Sequence, residues 1–84
     1  RKASTKLSYK DQRELDALPG EIESLERRVA ELQGRIAAPG FYAGDAPSVQ
    51  ATLAELRDAE TQLEARIERW AELEALSEKL QAGA

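Results

Sequence analysis

The chain has 84 residues, 42% of them hydrophobic but only 5% aromatic and 33% charged, so it forms one small domain without room for an enclosed globular core. It contains no cysteine and no histidine, which excludes disulfide staples, thiolate or imidazole metal sites and catalysis through those side chains. No apolar run approaches the roughly 18 to 20 residues of a membrane span, and none reads as a signal sequence, so no membrane contact is expected and the expected location is the cytoplasm. A chain that opens at Arg1 is expected to be a piece of a longer protein.

The formal net charge of -4 is unevenly spread. Residues 1–13 carry Arg1, Lys2, Lys6, Lys10 and Arg13 against Asp11 alone, a net of +4, which leaves -8 for the remainder. Residues 1–8 therefore read as a basic linker. Amphipathic spacing begins near Tyr9, and a short helix is expected over 9–18. Pro19 lacks an amide donor and crowds the preceding turn, which predicts a break there and a second helix over 20–37.

Through these segments the apolar residues fall at Leu15, Leu18, Ile22, Leu25, Val29, Leu32 and Ile36, an alternation of three and four residues that marks a coiled-coil seam. Residues 38–46 hold Pro39, Gly40 and Gly44, with Asp45 placed to cap the next helix, and Pro47 just beyond; this is a turn. A long helix follows over 46–81, roughly 50 Å at 1.5 Å per residue. Its apolar stripe reads Val49, Leu53, Leu56, Leu63, Ile67 and Trp70, with Glu60 interrupting and Ala59 partly filling the gap, then shifts phase to Leu73, Leu76 and Leu80. Setting Ile36 against Val49 pairs Leu32 with Leu53, Val29 with Leu56, Ile22 with Leu63, Leu18 with Ile67 and Leu15 with Trp70 at constant register. The expected fold is all-α: an antiparallel two-helix coiled-coil hairpin with a short extra N-terminal helix ending near Pro19. Trp70 is then a core residue, and Leu73, Leu76 and Leu80 outrun the covering helix. Because the hairpin satisfies its own seam, a monomer is expected.

No G-x-x-x-x-G-K-[ST] phosphate loop occurs in these residues. Carboxylates such as Glu21, Glu23, Glu64 and Glu68 suit a solvated helical face, so no catalytic residue is expected. The functional candidates are Lys2, Lys6, Tyr9, Lys10 and Arg13. Lys and Arg meet phosphates without regard to sequence, and a tyrosine stacks on an unpaired base. The same residues also suit a solubilising linker with Tyr9 packed on Leu76, and both readings stand at this level. Arg66 and Arg69 fall near this basic segment by register and join the candidate set. Phe41 and Tyr42 mark the hairpin tip, as a plug over the helix ends or as a contact surface.

The stretch "KLSYKDQRELDALPGEIESLE", the "FY" turn and the final "RWAELEAL" together resemble the C-terminal coiled-coil domain of ABC-F ATPases, in particular the Uup type. The resemblance rests on Leu7, Ser8, Tyr9, Lys10, Gln12, Arg13, Glu14, Leu15, Leu18 and Pro19, with Phe41, Tyr42 and Trp70. The turn departs from the family's pattern, with Ala38 and Ala46 where aspartate and a direct Asp-Pro pair belong. The resemblance implies a parent with two cassettes that bind ATP and Mg, while this segment holds no cofactor. It implies a DNA-binding role for the segment, with a ribosome or ribosomal RNA contact, or a protein-interaction spacer, as the alternative.

Overall fold

The computed structural model describes residues 6–83; Arg1 and Lys2 lie outside the described residues. Two helices, α1 (Tyr9–Ala37) and α2 (Ala46–Ala82), pack antiparallel around a turn, and the molecule measures 66 × 17 × 15 Å. The two-helix hairpin is as expected. Each boundary has a local cause. Ser8 caps α1, its hydroxyl accepting from the Asp11 amide at 3.1 Å. Pro39 holds Ala38 extended and so ends α1. Gly40 follows at φ 84°, a left-handed conformation that only glycine adopts without strain. A single 3-10 turn, Phe41–Ala43, leads to Asp45, whose carboxylate accepts from the Ser48 amide at 3.0 Å and caps α2.

The helix break expected at Pro19 does not occur, and no separate helix over 9–18 forms: α1 runs unbroken from Tyr9 to Ala37 with Pro19 inside it. Pro19 is exposed, so its ring stays off the seam, while its neighbour Leu18 is 2% exposed. On either side of the proline α1 is tied to α2, by Asp11 and Glu14 to Arg69 and by Glu21 to Arg66. Packing along the partner helix outweighs a propensity cost of about 3 kcal/mol. Replacing Pro19 by alanine is therefore expected to stabilise the hairpin by about 1 to 3 kcal/mol. Urea unfolding would show it as a raised midpoint at unchanged slope.

On α1 the seam is the one read from the sequence, with Leu18 and Leu32 buried and Leu15, Ile22, Leu25, Val29 and Ile36 half-buried. The seam of α2 differs. It runs Val49, Thr52, Leu56, Ala59, Leu63, Arg66, Trp70, Leu73, Ser77 and Leu80, an uninterrupted alternation of three and four residues, all buried or half-buried except Trp70. Small or polar residues at four of these positions hide the phase. Ala59, not Glu60, fills the mid-seam position at 5% exposure. Arg66 occupies a seam position by laying its stem inward and placing its guanidinium on Glu21 at 2.9 Å.

Two expectations are corrected by this seam. Ile67 stands on its flank at 44% exposure, and Trp70, in the seam by phase, stays 38% exposed, so Trp70 is not a buried core partner of Leu15. The apolar tail does not outrun its cover either. Leu73 is 1% exposed, Leu80 is half-buried and Leu7, just ahead of the Ser8 cap, is buried; of that trio only Leu76 stays out. The overall register holds nonetheless. The cross-helix ion pairs Arg28–Glu55, Arg66–Glu21 and Arg69–Glu14 each fall within two residues of the alignment that sets Ile36 against Val49.

Candidate nucleic-acid interface

The first two turns of α1 and the residues just ahead of them hold four of the sequence-predicted side chains. Lys6, Tyr9, Lys10 and Arg13 are all exposed, and the Ser8 cap fixes where the helix carrying three of them begins. Tyr9 and Arg13 are four residues apart, one turn along the same face. The Arg13 guanidinium lies 5.7 Å from the centroid of the Tyr9 ring, a cation–π contact. Tyr9 is otherwise open, so it does not pack on Leu76 as the linker reading has it. The result is an aromatic face with a delocalised cation held over it, and exposed Lys10 follows Tyr9 in the chain.

Two carboxylates in the same turns, Asp11 and Glu14, are engaged from α2. Arg69 of α2 donates through Nε and Nη2 to the two oxygens of Glu14, at 2.8 and 3.1 Å, a two-pronged pairing that fits the planar guanidinium. It also reaches Asp11 at 3.6 Å and Glu72 at 3.2 Å. Hydrogen bonding from Arg69, with a smaller contribution from the charge of Lys10, holds the Glu14 carboxyl below its ordinary range. The same partners, Glu14 first, favour the protonated form of Arg69. Arg69 thus engages the two carboxylates nearest the basic turns, Asp11 and Glu14, and offsets part of their charge, and Arg66 engages Glu21. Both arginines flank the candidate patch from α2, with their donors engaged by carboxylates. Lys2 lies outside the described residues.

The carboxylate partners of Arg69 escape a reading by residue type, because they emerge only once the register sets α2 alongside α1. The Ser8 cap had a sequence signal, the Ser-x-x-Asp spacing to Asp11. At the far end of the hairpin Phe41 is half-buried and Tyr42 is 66% exposed, their rings edge to face at 4.9 Å. The tip is thus partly closed by Phe41, and Tyr42 stays exposed beside it.

Known proteins match this architecture along most of the chain. Residues 6–75 fit the model of the ABC transporter C-terminal domain family. The chain is 43% identical over 76 residues to the ATP-binding protein Uup of Escherichia coli (strain K12), covering 90% of this chain and 12% of that protein. It is 46% identical over 71 residues to the ATP-binding protein Uup of Haemophilus influenzae, covering 84% of this chain and 11% of that one. The chain therefore spans only about an eighth of the length of the curated relatives it matches. A solved structure described as "The C-terminal domain of the Uup protein is a DNA-binding coiled coil motif" superimposes with a TM-score of 0.79 at 40% identity, covering 100% of this chain and 93% of that one. With family, relatives and fold in agreement, the chain belongs to the ABC transporter C-terminal domain family, as a Uup-type coiled-coil domain of the ABC-F ATPases.

Proposed function

We propose that this domain is a non-catalytic DNA-binding module of a cytoplasmic ABC-F ATPase, acting as a single copy and binding by charge and shape. The observation that carries this reading is the basic turn of α1, where Lys10 and the Arg13–Tyr9 pair stand exposed while Arg69 takes up the neighbouring carboxylates. Its likeness to the Uup domain described as a DNA-binding coiled coil motif supports the same conclusion. Lys6, Lys10 and Arg13 meet phosphates, with Lys2 ahead of them in sequence, and Tyr9 offers its ring to an unpaired base. Arg66 and Arg69 act from behind, as counter-charges that keep the patch positive. ATP and Mg belong to cassettes elsewhere in the parent protein.

The test is a salt titration of the 84-residue chain against a labelled duplex of arbitrary sequence. With about four phosphates neutralised, log affinity is expected to fall against log salt with a slope of roughly -3.6, and more gently for single strands. Tighter binding to a ribosomal RNA fragment than to any DNA would move the module to the ribosome. No binding at low salt would leave it a protein spacer.

A further inference from the structure

The two flanks of the hairpin are unlike. The cross-helix ion pairs, Arg28–Glu55, Arg66–Glu21 and Arg69 with Asp11 and Glu14, run along one of them. On the other, Pro19, Ile22, Glu26, Ile67 and Trp70 line an open groove of about 370 Å³. Its floor is apolar, and Ile67 and Trp70 are among the most exposed large hydrophobic side chains of the domain. Around it the charge is negative. Glu60, Glu64, Glu74 and Glu78 share the face of α2 that carries Ile67, by their helical spacing from it, and Glu26 stands in the groove itself. Among the described residues, none of these five carboxylates joins an ion pair, whereas Asp11, Glu14, Glu21 and Glu55 on the opposite flank each meet an arginine.

We propose that this groove docks a basic amphipathic helix of a protein partner. Leucine-like side chains one turn apart on that helix would seat against Trp70, Ile67 and Ile22, and its lysines or arginines would face Glu26, Glu60 and Glu64. An apolar floor inside a ring of unmatched like charges has this complement and few others. A nucleic-acid backbone is repelled by the rim. A second copy of the chain is a poorer occupant, because the basic face of α1 at Lys10, Arg13 and Ala17 carries no leucine or isoleucine to fill the floor. The inference does not rest on the DNA-binding reading: the groove lies on the flank opposite the Arg69 network, so the two ligands would not compete.

Trp70 is the sole tryptophan, so its emission reports the groove directly. The probe is a synthetic helical peptide with leucines spaced one turn apart and arginines elsewhere; the control has glutamate in place of each arginine. A saturable blue shift of Trp70 emission is expected with the arginine peptide and none with the glutamate peptide. Glu26→Lys and Ile67→Ser, both at exposed positions, are each expected to weaken binding about tenfold with helical circular dichroism retained. Glu31→Lys makes the same charge change on the other flank and is expected to leave binding within about twofold. Equal binding of the two peptides, no saturable shift, or an equal loss in Glu31→Lys would overturn the proposal. So would the same blue shift on concentrating the protein alone, which assigns the groove to a second copy, or on adding duplex DNA. The peptide comparison needs no variant, so it decides the matter even where a substitution costs helix.

Discussion

Leu73→Ala is expected to lower the unfolding free energy by about 3 to 5 kcal/mol, the upper part of the range for emptying a buried leucine site. Leu73 is 1% exposed and belongs to a core in which Leu18 and Leu32 are the other large, fully buried side chains. A rod two helices thick has nothing behind its seam to collapse into the vacated volume. Total stability of a domain this small lies near the lower end of about 5 to 15 kcal/mol, so the variant is expected to lose a large part of its helix at ambient temperature. Trp70→Ala removes more atoms, yet Trp70 is 38% exposed and is expected to cost the smaller amount, about 1 to 2 kcal/mol. Urea unfolding of the two variants side by side checks which of the two carries the core. If Trp70→Ala is the more damaging of the two, Trp70 is a buried core residue as the apolar stripe of the sequence has it, and not the partly open seam position described here.

That contrast shows which parts of the fold are written in residue types and which are not. Along α1 every seam position from Leu15 to Ile36 is leucine, isoleucine or valine, so the period and the burial coincide. The turn is equally legible, because Pro39, Gly40 and Asp45 each have one backbone conformation or one capping role to fill. On α2, Thr52, Ala59, Arg66 and Ser77 occupy seam positions without an apolar signature, and the conspicuous Leu53, Ile67 and Leu76 draw the eye one residue off. Pro19 misleads for a different reason. Its local preference is to end a helix, and the partner helix alongside it overrules that preference through contacts 45 to 55 residues away in sequence. For the candidate site, the exposed cations of the N-terminal segment are visible as charge. The engagement of Arg66 and Arg69 by carboxylates is not, since it depends on side-chain reach across a register that composition does not fix.

The engagement of Arg69 shapes what should happen when the basic turn is neutralised. Replacing Lys6, Lys10 and Arg13 together by glutamine removes three of about four phosphate contacts, so the salt slope for duplex DNA is expected to flatten from roughly -3.6 to roughly -0.9. Affinity at low salt should fall by at least two orders of magnitude and to the same extent for every sequence, because no base edge is being read. Helical circular dichroism should stay unchanged: all three side chains are exposed, and the Ser8 cap and the Arg69–Glu14 pairing survive the change. Arg69→Gln is the informative partner to this variant. It adds one net negative charge, as each single glutamine change does, but in this structure it also releases Glu14 and Asp11 toward the patch and so weakens binding through their field, leaving the number of phosphate contacts and hence the slope near that of the parent. A flattened slope in Arg69→Gln would make Arg69 itself a phosphate contact. Unchanged binding in the triple variant would remove the basic turn from the interface altogether and leave it a linker.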